Sequence, residues 1–204
     1  GVPDRLPFFH YWRHCQLGSV ERACRNRGMG MCWTRPGHVE RLHDVEVVER
    51  QQTWSGQPAW RRTFTTPVGE VSTLEIREAG VGQWHGQRSW RDVTPWQVER
   101  LIKEPQDYAV VQYLVEHTEY VADDFPIEQA MDWLGEDGVV LCGLPHSPMQ
   151  TLMIDWVGSE GGRFYYHLAD HPDLVEGLYR ALCRSREALH EIAARSSAPI
   201  VMCG

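Results

Sequence analysis

With 204 residues, 42% apolar and 24% charged, the chain has the length and composition of one globular domain, or of one domain with a small subdomain. A formal charge of −8 and a pI near 5.7 exclude a broad basic surface for nucleic acid. No apolar run approaches the ~20 residues that cross a bilayer, so no membrane partner is expected.

The six cysteines (Cys15, Cys24, Cys32, Cys142, Cys183 and Cys203) are scattered and include no CxxC pair, which suits a reducing, cytoplasmic setting better than a disulfide framework. Only Lys103 among the 20 basic residues is a lysine, a usage read as coding bias.

Taken in order, Leu6 to Trp12 reads as a first strand. Ser19 reads as the cap of a short helix, Val20 to Arg27, stopped by Gly28. Gly30 to Trp33 is a second strand, followed by a turn over Thr34 to Gly37. From Asp44 to about Asp92 the texture changes to partly alternating runs, Val45–Glu49, Trp60–Thr65 and Val71–Ile76, separated by Gly/Pro turns. These predict an antiparallel meander set into or over an α/β body. Trp54, Trp60, Trp84, Trp90 and Trp96 crowd this region, either to line a flat aromatic ligand or to anchor the small sheet.

Helix signals then take over. Thr94-Pro95-Trp96-Gln97 has the cap, first-turn proline and Gln of a helix start, which predicts a short helix to about Lys103. A second helix follows Pro105, with Val110, Val111, Leu114 and Val115 as its apolar stripe, and a third begins at Pro126. Pro172 opens the longest helix, to about Arg195. Ile200 to Cys203 is a further buried strand. The division expected is 1–43, first barrel strands and helix; 44–93, inserted meander; and 94–204, later barrel helices and strands.

The stretch Asp137 to Gln150 organises the rest. Val139 to Cys142 is a short apolar run suited to a strand inside a parallel sheet. Ser147-Pro148-Met149-Gln150 then carries a capping box with proline at the first helical position. Such a strand–loop–helix unit puts a helix N-terminus at the strand's carboxyl end, where α/β folds bind ligands and an anion is favoured. Counting 8–11, 29–32, 139–142 and 200–203 gives four buried, parallel-type strands. The fold class expected is α/β, a (β/α)8 TIM-barrel type, with these strands as its first half and the remainder supplied by further chain or a second copy.

Val139 to Leu152 resembles the strand, glycine, turn, proline and helix element of the uroporphyrinogen decarboxylase superfamily, which includes corrinoid-linked zinc methyltransferases. His171 to Val175 resembles that family's next unit. Thr65–Val71 and Leu101–Tyr108 resemble the hairpin and linker of its methyltransferase-like branch. The resemblance implies a TIM barrel with its site at the strands' carboxyl ends. It implies methyl transfer between a small methylated substrate and a corrinoid or thiol acceptor, with decarboxylation of a tetrapyrrole or other carboxylated substrate, or a non-catalytic binding subunit, as alternatives. Zinc, a corrinoid, a corrinoid protein partner and a homodimer are its implied cofactors and partners. The chain departs from the decarboxylases at His10 to His14, where only Arg13 remains of an arginine-rich motif, and at Cys32-Trp33-Thr34, where an aspartate is expected.

On the half-barrel reading, His10, Cys32, Cys142, His146 and Cys203 gather at one mouth. His10 and His146 are the expected catalytic acid–base groups. Arg13, Arg35, Trp33 and Ser147 are expected to bind substrate. Cys142 and Cys203 are expected as metal ligands, or else as small core residues.

Overall fold

The computed structural model describes residues 8–11, 18–76 and 96–203. Four short apolar segments, β1 (Phe8–Tyr11), β2 (Met29–Arg35), β9 (Gly138–Leu144) and β10 (Ile200–Cys203), lie side by side in that order. Every pairing among them is parallel. Pro145 and the Ser147 cap end β9 and begin the next helical turn, as the sequence predicts.

Alternation along these strands splits the sheet into two unlike faces. Met29, Met31, Trp33, Val140 and Cys142 form a core with Ile127, Ala130 and Leu134 of helix α3 (Phe125–Leu134) and Ala193 of helix α6 (Pro172–Arg195). The other face carries Phe9, Gly30, Cys32, Thr34, Val139, Leu141, Gly143, Ile200 and Met202, and of these only Leu141 is buried. The sheet is therefore a layer covered on one side, and it is not closed into a barrel.

The meander is present as β4 (Glu46–Trp54), β5 (Gln57–Thr66) and β6 (Gly69–Ile76), antiparallel throughout. It takes a fourth strand, β7 (Trp96–Glu99), from beyond the expected boundary at residue 93. The helix predicted from Thr94 to about Lys103 is thus a strand over Trp96–Glu99 and irregular from Arg100 to Lys103. The Thr-Pro-x-Gln pattern loses to edge pairing with β6 and to Arg61, which donates from both terminal nitrogens to Glu99 at 2.7 and 2.8 Å. Trp84 and Trp90 lie outside the described residues.

Helix α2 (Asp107–Glu116) carries Val110, Val111, Leu114 and Val115 into the second core, where Leu178 and Leu182 of α6 meet Val71 of β6. Lys103 staples the junction, its ammonium donating to the carbonyls of Ser72 at 2.6 Å and Arg100 at 3.2 Å. Two strands went unforeseen: β3 (His38–Leu42) and β8 (Thr118–Ala122) form an antiparallel ribbon. Helix α1 (Ser19–Arg25) begins one residue earlier than expected, with Gly18 in the cap position. Helix α5 (Arg163–Asp170) precedes α6, and no helix among the described residues is long and apolar enough to cross a membrane.

Gly138 marks the tightest point of the parallel sheet: a Cβ there would lie 2.2 Å from the Met31 carbonyl oxygen, a backbone atom with no rotamer to give way. A Cβ on Gly30 would meet only the ring of Phe9, an exposed edge side chain. Gly138→Ala is expected to destabilise the protein by about 1–3 kcal/mol, and Gly30→Ala to have a much smaller effect, as read by urea unfolding.

Candidate functional site

Register decides which strand-end residues can meet. His10 pairs with Met31, which pairs with Gly138, the first residue of β9. His146 follows the far end of the same strand, so the whole of β9 separates the two histidines expected at one mouth. Tyr11, the last residue of β1, is level with Val139, whereas β9 runs on to Leu144, level with Cys203. At ~3.3 Å per residue, the carboxyl edge is stepped by roughly 16 Å.

Pleating separates the candidates again. His10, Trp33, Arg35, Cys142 and Cys203 share the parity of Met31, so they sit on the helix-covered side of the sheet. Cys142 is 1% exposed, packed as a small apolar residue in that core, and Cys203 is exposed at the edge strand. Arg35 lies over the Trp33 ring at 4.3 Å, and burial lowers its pKa. Trp33 is itself edge-on to Trp133 of α3 at 5.0 Å, a packing role. Cys32 is the one strand cysteine on the open face, its thiol pKa raised by burial. Among the described residues no three His, Cys, Asp or Glu side chains come together as a metal-ligand group. Cys142 and Cys203 lie on the same face of neighbouring strands, without a third such side chain beside them among the described residues. Arg13 lies outside the described residues. Ser147 spends its hydroxyl on the capping box with Gln150, at 2.7 Å.

What does gather beyond the carboxyl ends of β2 and β9 is a polar group that the sequence reading only half names. The Ser147-capped helix α4 (Pro148–Gln150) widens at once into a π-helical segment, Thr151–Trp156. The wider turn brings Asp155 back to His146, and Nδ1 of His146 lies 3.0 Å from its carboxylate. Thr151 on the same segment donates its hydroxyl to the His146 carbonyl at 3.2 Å and accepts from Arg186 of α6 at 2.8 Å. The β3–β8 ribbon closes the rear: Tyr120 is hydrogen-bonded to Ser185 of α6, and His38 packs edge-on to Tyr120 at 5.6 Å. Burial raises the Tyr120 pKa and lowers that of His38, with Glu40 partly offsetting the latter.

No family model, curated protein or solved structure matches the chain.

With Asp155 accepting from Nδ1–H, His146 presents Nε2 as the nitrogen that can take or give a proton. Both side chains are partly exposed, so a substrate can reach them. Asp155 is the acid inside the apolar run Leu152 to Val157, and nothing in the sequence ties it to His146. Arg186 was legible as the charged member of the stripe Leu178, Leu182, Leu189 and Ala193 on α6.

A second set of titratable groups, His167, His171, Arg163, Glu104 and Asp170, lines an open cleft of ≈ 480 Å³ where α5 meets α6. Tyr108, buried and with its pKa pushed up to about 12, hydrogen-bonds Nδ1 of His167 at 3.1 Å. The His167 pKa is lowered by burial first, then by His171 and Arg163.

Because its folded pKa lies below the ordinary 6.5, His38 favours the native state above that pH and opposes it as protonation is forced on the buried ring. Stability is expected to fall as pH drops below about 6.5, and His38→Gln to reduce that fall, as measured by the thermal midpoint between pH 7 and 5.

Proposed function

We propose that the chain forms four strands and part of the rim of a (β/α)8 enzyme of the uroporphyrinogen decarboxylase-like type, with His146 as its proton-transfer group. The observation that carries this reading is His146 held by Asp155 just past the carboxyl end of a central parallel strand, where barrel enzymes keep their chemistry. Sequential order and parallel pairing of the four strands support it, as do helices on one face and small or apolar residues on the other.

Methyl transfer comes first among the reactions. A thiolate or reduced corrinoid, when bound, would accept the methyl group; as the bond from the methyl carbon to the leaving heteroatom breaks, His146 delivers a proton from Nε2 to that heteroatom. Asp155 keeps the ring oriented and balances the imidazolium charge. Decarboxylation is the second reading: the carbon–carbon bond breaks, carbon dioxide departs, and His146 protonates the carbanion left behind.

The decisive experiment incubates the protein with cob(I)alamin and a panel of methyl thioethers and methylamines, following methylcobalamin by absorbance. Parallel samples with uroporphyrinogen and simple dicarboxylic acids are followed for carbon dioxide release. Turnover is expected in one arm. His146→Gln is expected to lower kcat about 10²–10⁴-fold and Asp155→Asn about 10–100-fold. Turnover undiminished in His146→Gln sinks the assignment.

A further inference from the structure

Arg186 is a charged side chain in a position where the pattern of α6 calls for an apolar one. It is only 7% exposed, and it stands between Leu182 and Leu189 on the buried stripe. Burying a guanidinium is costly unless its protons are used. One terminal nitrogen donates to Thr151 Oγ1 at 2.8 Å, while the buried Nε has no hydrogen-bond partner. The ionisable groups that bear on it come from several elements: the carboxylates of Asp155 on the π-helical segment and Glu40 on β3, with the Tyr120 hydroxyl of β8 and the Cys183 thiol of its own helix beside them.

The π-helical segment explains why a cation is kept there. A π turn carries an extra residue and is uncommon, appearing chiefly where a side chain must be aimed. Relaxation of Thr151–Trp156 to α geometry would rotate its distal residues by about 100°, one residue's turn, and carry Asp155 away from His146. Thr151 is the buried residue of the segment tied on both sides, to the His146 carbonyl and to Arg186. Asp155 stands one π turn further on, within the field of the same guanidinium.

We infer that Arg186 is a positioning residue for His146, pinning the π turn through Thr151 and holding the Asp155 carboxylate towards Nδ1 of the imidazole. The inference rests on His146 being the proton-transfer group, and it assigns Arg186 no contact with substrate.

The test reads the His146 tautomer directly, by ¹⁵N resonances of histidine-labelled protein assigned through their loss in His146→Gln. In the parent protein the ring is expected mainly as the Nδ1–H form. Arg186→Met is expected to shift it towards the Nε2–H form and to lower kcat about 10–100-fold with KM little changed; Arg186→Lys is expected to restore part of both. Thr151→Val removes the acceptor while keeping the cation, and an intermediate shift is expected. A folded Arg186→Met protein with the parent tautomer overturns the inference. Should Arg186→Met fail to fold, an unaltered tautomer in Thr151→Val overturns it equally. Full turnover in His146→Gln alongside a tautomer shift in Arg186→Met defeats the functional assignment alone and leaves the positioning role standing.

Discussion

The parallel register of β1, β2, β9 and β10 is the constraint from which the rest follows. Once Met31 is fixed opposite both His10 and Gly138, pleating dictates the side on which every strand residue emerges, and the step between strands dictates its height. Five polar or sulfur-bearing candidates are thereby committed to the helix side, and His10 to a level far below His146. A slip of one residue would exchange the two faces and place Met31 and Val140 on the uncovered side. The close approach of Gly138 to the Met31 backbone guards against that slip, since only glycine fits there.

Above this sheet, the polar site depends on departures from regularity rather than on the regular elements. The β3–β8 ribbon leaves β2 at Gly37 and is tied back there, the Asp123 amide donating to the Gly37 carbonyl at 2.9 Å. The π-helical segment displaces Asp155 by the one residue needed to reach His146. Arg186 rises through the apolar stripe of α6 and donates to Thr151, while Asp155 of the same π-helical segment reaches the His146 imidazole.

Much of the architecture was legible because strong local signals agreed with tertiary demands. The helix at Pro172–Arg195 and the Ser147 capping box carry apolar periodicity and cap chemistry that point the same way. Ile200–Cys203 forms the expected strand, but at the sheet's edge, so its residues are exposed or half-buried rather than buried. The strand at Trp96–Glu99 was misread because a genuine cap signature competes with a β-edge and an Arg61–Glu99 pair that only the folded chain supplies. The ribbon strands were missed because His38–Leu42 and Thr118–Ala122 are polar and half-exposed, without the alternation that marks a strand. At the site, His146 could be picked out from its place after the strand, but Asp155 could not. A helical reading with 3.6 residues per turn gives no reason for a residue nine positions on to return to it. Parity was equally hidden: a residue's approach to a strand's end is visible in sequence, but its face depends on partners more than a hundred residues away.

Lys103 joins the meander to the α/β body through two backbone carbonyls, and burial lowers its basicity. It is also the chain's sole lysine. Amine-directed acylation or crosslinking of side chains is therefore addressed not to the surface at large but to one half-enclosed joint. A modifying group attached there would take the ammonium from the Ser72 and Arg100 carbonyls, so such chemistry acts on the seam between meander and body rather than on an exterior.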